Sequence, residues 1–224
     1  MSDHINIDDI LADLRKKVGD IVPHPSTEDI HLTDEQLALR TFLRERKIHY
    51  LIHFTDAKNI PSIMENGILS VKQLQARGAA HTRNDEYRHD NALDFISLSV
   101  SGMNPYVYRS FRHTLSTIEH GVAIVIDADM LYREISAQRT YCITNAATTN
   151  ASKGDTLDDF RAMFAEKIIY TTQSNGTREI DRHSEQRNPS EPTDVQAEIL
   201  WNGCVPTEYI LCYWDLEENF FYGD

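Results

Sequence analysis

Apolar side chains recur at helical spacing at Ile7, Ile10, Leu11, Leu14 and Val18, which predicts an amphipathic helix over 5–18. Pro23 and Pro25 interrupt the pattern, and 19–32 reads as a linker. Thr33 followed by Gln36 is a capping box, and Leu37, Phe42 and Leu43 continue a second helix. The first strong strand is 48–54, IHYLIHF. A short helix follows, with Asn59 near its start, Pro61 in its first turn and Gly67 just past its end. Residues 71–77 predict another short helix, 78–92 a polar loop, 95–99 a strand and 103–113 a helix. The continuous apolar run over 121–127 predicts a strand buried on both faces. Asp155 or Thr156 opens a helix through Phe160, Met163 and Phe164. Residues 173–193, with Ser174-Asn175-Gly176, Pro189 and Pro192, form the longest polar stretch and read as a long, mobile, functional loop. Strands return at 195–201 and 209–214. Short strands mixed with short helices, without regular βαβ alternation, predict the α+β class.

The length, 224 residues, suits one domain of ordinary size. A hydrophobic share of 41% with 25% charged residues argues against a wholly disordered chain. No apolar run approaches the roughly 18 residues of a membrane span, and the first residues lack the basic and apolar regions of a secretion signal. Cys142, Cys204 and Cys212 form no CxxC pair, so no metal is expected, and so sparse a set suits the cytoplasm. The net charge of −13 is concentrated at the two ends, and the stretch 191–224 holds eight acids and no base. The middle is close to neutral, with local basic runs at Arg40, Arg44, Arg46 and Lys47 and again at Arg77, Arg83, Arg88, Arg109 and Arg112. That distribution disfavours a long duplex-wrapping surface but suits a small site for one or two nucleotides.

The chain has no GxGxxG, P-loop, HExxH or GxSxG motif. Three segments nevertheless carry chemistry. His53-Phe54-Thr55 closes a strand and runs into Asn59, Ser62 and Ser70. Arg88 lies shortly before the strand Ser97-Leu98-Ser99, where a guanidinium could hold a pyrophosphate bidentately. Gln196-Ala197-Glu198-Ile199 follows the long polar stretch, and strand alternation puts Gln196 and Glu198 on one face. Taken singly, His53 fits a core histidine bonded to backbone better than a ligand contact, Arg88 a solvated loop charge or surface ion pair, and Glu198 a water-facing edge position.

Taken in order, these segments resemble the DarT family of bacterial nucleic-acid ADP-ribosyltransferase toxins. The matching pieces are His53-Phe54-Thr55, Asn59-Ile60-Pro61-Ser62-Ile63, Asn66-Gly67-Ile68-Leu69-Ser70, Arg88-His89-Asp90, Ile96-Ser97-Leu98-Ser99-Val100-Ser101 with Asn104, Thr144-Asn145-Ala146-Ala147, Asp194-Val195-Gln196-Ala197-Glu198-Ile199-Leu200 and Val205-Pro206-Thr207-Glu208-Tyr209-Ile210. They span 48–213. The Arg-x-Asp and Ser-Leu-Ser pieces look more like the guanine-modifying branch than the thymine-modifying one.

The resemblance implies an ADP-ribosyltransferase-like split β-core with surrounding helices, a catalytic domain over 47–224 and a helical acidic extension over 1–46. NAD would be consumed as co-substrate, and no metal would be needed. His53, Phe54 and Thr55 would line its cleft, with Ser62 and Ser70 as further contacts and Arg88 on its pyrophosphate. Glu198 would be the catalytic glutamate. The loop before it, with Arg178, Arg182, Arg187 and Gln196, would meet the acceptor, a base in single-stranded DNA or RNA. Such a toxin, of a toxin–antitoxin or phage-defence system, would need a neutralising partner: a macrodomain, a NADAR-type hydrolase or a tight-binding protein. Two other readings stay open at this level: transfer to a protein side chain, which the acidity favours, and a catalytically inactive NAD-binding module. The acidic segment at the start is a candidate docking arm.

Overall fold

The computed structural model describes residues 32–78, 93–102, 104–106, 120–134, 137–172 and 176–216, and the backbone of 220–222. The helix expected over 5–18, the loop bearing Arg88 and most of the helix expected over 103–113 lie outside the described residues.

Helix α1 (Asp34–Arg46) begins where the sequence places it. The Thr33 hydroxyl accepts from the Gln36 N–H at 3.3 Å and the Gln36 side chain returns a bond to the Thr33 N–H at 2.9 Å. Its apolar stripe, Leu39, Phe42 and Leu43, is buried. Phe42 meets Phe160 and Phe164 edge-on at 5.3 and 5.6 Å, so this helix, which the sequence reading assigned to the extension, packs in the same core as the sheet. It ends at Lys47 in the left-handed conformation, φ 58°.

Ten strands follow. Eight form one antiparallel sheet in the order β10-β9-β3-β1-β2-β8-β4-β5. They are β1 (Tyr50–Asp56), β2 (Ile96–Val100), β3 (Gly121–Asp127), β4 (Gln138–Cys142), β5 (Lys153–Gly154), β8 (Glu198–Asn202), β9 (Ile210–Asp215) and β10 (Phe220–Tyr222). Strands β6 (Lys167–Thr171) and β7 (Thr177–Asp181) form a separate two-stranded sheet, and Thr171 of β6 also bridges to Asn150. The short helices are α2 (Ile60–Asn66), α3 (Val71–Ala76), α4 (Met130–Arg133) and α5 (Leu157–Ala162). Helix α2 stops at Gly67, whose φ of +76° suits a residue without Cβ; a Cβ there would also collide with the Val205 carbonyl across the Ile68–Val205 bridge.

The long polar stretch corrects the sequence reading. Thr177–Asp181 is a strand, β7, and the chain beyond it is tied down rather than free. Its polarity hid it, because β6 and β7 expose one face, that of Lys167, Ile169 and Glu179, while Ile168, Tyr170 and Ile180 on the other are buried and only Arg178 of that face is exposed.

The pairing of β1 positions the site. It runs beside β3 over seven residue pairs, Tyr50 to Asp56, but beside β2 over only two, Leu51↔Val100 and Ile52↔Ser99. Beyond Ile52 the two strands part, which splits the sheet at its centre. Register divides the residues between two faces. Leu51, Leu98, Ile124, Ile199 and Tyr141 fall on the face that packs against α1 and α5. Phe54, Ser97, Ser99, Glu198 and Cys142 fall on the other.

Candidate active site

Glu198 is the first residue of β8, beside Ser99 of β2 and Cys142 of β4. A strand-end position in the middle of a sheet fixes the backbone on both sides, so the side chain needs little further ordering. Both carboxylate oxygens are held. The Ser97 hydroxyl donates to Oε2, and the Ala146 N–H donates to Oε1 at 2.6 Å. Ala146 sits in a turn just past β4. That turn is fixed by the Ala147 N–H on Asn145 Oδ1 at 2.9 Å and by Lys153 Nζ on the Ala146 carbonyl. The half-buried carboxylate therefore has one orientation, set by two donors from two flanking segments.

His53 joins this group through Ser97. Its Nδ1 lies 3.0 Å from the Ser97 carbonyl, at the point where β1 and β2 have separated, and so bonds to β2 by a side chain where the strand ladder has ended. Phe54 is buried and, by alternation, on the Glu198 face. Thr55 is buried on the opposite face and accepts from Asn59 Nδ2 at 2.9 Å, which holds the turn into α2. Ser70 is buried as the N-cap of α3, its hydroxyl accepting from the Gln73 N–H at 3.3 Å. Ser62 is half-buried in the first turn of α2.

The structure therefore brings Phe54, Ser97 and Glu198 to one face of the sheet beside the split, while His53, paired with Ile124, falls on the Thr55 face and reaches this group through the Ser97 carbonyl. It gives Ser70 and Thr55 structural bonds. Arg88 lies outside the described residues. Ser97 and Ala146 both stand in the sequence motifs without a role, and the role of Ala146 was invisible there because a backbone donor carries no residue signature.

Gln196 corrects the alternation argument. It is not on the strand but in a turn closed by the Ala197 N–H on the Asp194 carbonyl at 3.0 Å, and its own N–H donates to Asp194 Oδ1 at 2.8 Å. The buried Asp194 carboxylate also receives the Tyr170 hydroxyl at 3.0 Å, and Thr144 donates to that hydroxyl at 3.3 Å. Burial pushes the Tyr170 phenol above its ordinary pKa, which keeps it a neutral donor.

Arg182 and Arg187 correct the expectation of basic residues facing an acceptor. Arg182 is 6% exposed. Its guanidinium donates to the Glu191 carbonyl at 2.7 Å, to the Asn188 carbonyl and to Thr193 Oγ1 at 3.3 Å, and lies 5.9 Å from the centre of the Phe164 ring. Burial, and then the nearby Arg46, lowers its pKa from the ordinary value. Arg187 donates through Nε to the Pro192 carbonyl at 3.0 Å. Five donors in a rigid fork suit a guanidinium to this task of satisfying loop carbonyls. Of the three arginines only Arg178 is exposed.

Replacing Ser97 with alanine should lower the turnover of the reaction that uses Glu198 by about 10-fold, the value of one hydrogen bond to a charged group. The KM for the nucleotide should change less. Steady-state kinetics separates the two, and an unchanged kcat would remove Ser97 from the site.

Among the described residues no group of three or more His, Cys, Asp or Glu is placed to hold a metal ion, and no helix is long and apolar enough to cross a membrane. No curated protein matches the chain. Three solved structures show a likeness at low identity. Thermosipho africanus DarTG in complex with ADP-ribose is 15% identical with a TM-score of 0.49, over 75% of this chain and 44% of that one. The chain thus spans less than half the length of that protein. Thermus sp. 2.9 DarT in complex with NAD+ is 11% identical with a TM-score of 0.47, over 75% of this chain and 82% of that one. The same DarT in complex with ADP-ribosylated ssDNA is 14% identical with a TM-score of 0.45, over 73% and 79%. The family model described as "ssDNA thymidine ADP-ribosyltransferase, DarT" matches residues 52–213. That span runs from within β1 to within β9 and takes in His53, Ser97, Ala146 and Glu198 together, so the chain belongs to the DarT family of ADP-ribosyltransferases.

Proposed function

We propose that this chain transfers ADP-ribose from NAD to a base of single-stranded DNA, with Glu198 as the catalytic carboxylate. The observation that carries the reading is the orientation of Glu198 by Ser97 and Ala146, on the sheet face opposite α1 and α5 and beside the split between β1 and β2. NAD supplies the ADP-ribose and gives up nicotinamide. Positive charge builds on the ribose as that bond lengthens, and a fixed carboxylate stabilises it without having to reorganise. The same carboxylate can take the proton of the attacking base. His53 and Phe54, flanking the split, would contact the nucleotide, and Ser62 would lie at its margin. Arg88 would hold the pyrophosphate and so turn binding energy into orientation. A single strand suits this site because its bases are already unpaired. A cytoplasmic toxin with this activity needs a neutralising antitoxin, and a hydrolase that removes the ADP-ribose or a protein that covers the cleft would serve.

Incubation with NAD and a panel of DNA and RNA oligonucleotides, read by intact mass, tests the reading. The panel includes strands whose only reactive base is thymine or guanine, since the family description names thymidine while Arg88-His89-Asp90 and Ser97-Leu98-Ser99 point to guanine. A DNA strand gaining one ADP-ribose is the expected result. Modification of protein with no modified strand of either kind would overturn it. In the same assay Arg88→Ala should weaken NAD use by about 10-fold, the scale of a lost charge-assisted bond, and lysine should rescue it only in part. Unchanged NAD dependence would make Arg88 a surface charge.

A further inference from the structure

Ser99, Glu198, Cys142 and Lys153 stand directly opposite one another on β2, β8, β4 and β5, so they form one rung across four strands. Paired residues of antiparallel strands share a face, which puts Lys153 on the face of Glu198. It lies two strand spacings away, roughly 10 Å between backbones, on the outermost strand of the sheet. The Lys153 ammonium donates to the Ala146 carbonyl, and the N–H of the same alanine holds Glu198 Oε1. The hairpin that carries Lys153 is closed by backbone bonds: the Ile143 N–H donates to the Ser152 carbonyl at 3.3 Å and the Thr148 N–H to the Asn145 carbonyl at 2.9 Å. Lys153 is nonetheless exposed. An ammonium has three N–H donors, and the Ala146 carbonyl takes one, which leaves two facing solvent. A cation is thus fixed at the open end of the rung that holds the catalytic carboxylate.

We propose that Lys153 binds a phosphate next to the modified base, so that the DNA strand lies on the β4–β5 side of Glu198. This inference rests on the reading of the site as one that acts on single-stranded DNA with NAD beside the split. Glu198 has two flanks. On one, β2 leads to the split between β1 and β2, the place of NAD in that reading. On the other, β4 and β5 lead to Lys153 at the edge of the sheet. An acceptor base has to reach the ribose from a side that NAD leaves open, which is the second flank. The phosphates of a nucleotide lie one sugar away from its base, within reach of a cation on the same rung. An ammonium is a compact point charge that meets a phosphate oxygen from any direction. Thr149, Asn150 and Ser152 of the same turn are exposed, small and polar, which leaves room for a strand and offers further side chains of the kind that meet a nucleic-acid backbone. The contact would set the register of the strand and carry little sequence preference. It also supplies positive charge beside the site in a chain whose net charge is −13.

The test uses the full chain, NAD and a single-stranded DNA oligonucleotide that the wild-type protein modifies. Lys153→Gln removes the charge and keeps a side-chain donor for the Ala146 carbonyl. It should raise the oligonucleotide KM by about 5-fold at low salt, the scale of one exposed ionic contact. It should also reduce the slope of log KM against log salt by about 0.7, the value for one phosphate of a single strand. The difference from wild type should therefore shrink as salt rises. Lys153→Arg keeps the charge and should keep the wild-type slope. The KM for NAD should stay near wild type in both, since NAD lies on the other flank. A lysine that only held the Ala146 turn would instead lower kcat and leave the oligonucleotide KM and its salt slope unchanged. Lys167→Gln removes an exposed charge from the separate two-stranded sheet and should leave both unchanged. Thermal unfolding of each variant reports on folding, and Lys153→Met is the second neutral variant should the glutamine be unstable. Wild-type oligonucleotide KM and salt slope in a folded neutral variant would overturn the phosphate contact alone. A wild-type protein that modifies no oligonucleotide would overturn the reading of the site, and the contact with it.

Discussion

Glu198→Gln should lower ADP-ribose transfer by a factor on the order of 100 or more and leave the fold intact. The two donors explain why this substitution isolates charge. The Ala146 N–H can only donate, and it can do so to the glutamine carbonyl as it does to Oε1. Ser97 has a hydroxyl that rotates, so it can accept from the glutamine amide where it now donates to Oε2. Both bonds survive, volume hardly changes, and the negative charge is gone. The thermal midpoint should therefore stay near the wild-type value while modified oligonucleotide disappears from the mass spectrum. A purified Glu198→Gln protein that transfers at the wild-type rate would remove the carboxylate from the mechanism.

Arg182→Ala should destabilise the protein by about 3 kcal/mol or more. It strips donors from two loop carbonyls, Asn188 and Glu191, and from Thr193, of which Glu191 and Thr193 are buried. For a chain of this size that corresponds to a fall of roughly 6–12 °C in the thermal midpoint. Transfer should fall as well, because the loop that Arg182 holds leads into Asp194, the turn before Glu198. The loop is fastened at its far end too: the Thr193 N–H donates to the Met163 carbonyl at 2.8 Å and its hydroxyl to the Ala165 carbonyl at 2.5 Å, both just past α5. Lysine should rescue little, since one ammonium cannot reach three diverging acceptors as the fork does. An arginine that faced a phosphate would behave otherwise, giving a protein of normal stability with an altered salt dependence of oligonucleotide use. A wild-type midpoint in Arg182→Ala would restore the sequence-based view of this residue.

The contrast between Arg178 and Arg182 shows where the sequence stopped being informative. The two are four residues apart in a polar stretch, and nothing local separates them. One is exposed on β7 opposite Tyr170, and the other is buried against Phe164. The strand pairing of β6 with β7 decides this, and neither strand has the apolar continuity that makes β3 legible. Strand β4 escaped for the same reason: it reads QRTYC, with its first three residues only partly covered or exposed.

The sequence by itself determined what local interactions determine. The capping box at Thr33, the Pro61 and Gly67 ends of α2, the buried strand β3 and a helix start at Asp155 or Thr156, which the structure puts at Thr156, follow from side chains within a few residues of one another. The ordered motifs from His53 to Ile210 also pointed to the family that the match over 52–213 then showed. The tertiary structure alone decided how Glu198 is held. Its two donors come from 101 and 52 residues away in the chain, and they meet it because β8 lies between β2 and β4. The same register parts β1 from β2 after two pairs and places His53 at the gap. Strand order and register are set by burying one face of a sheet against distant helices, a condition on the whole chain that no short window of sequence contains.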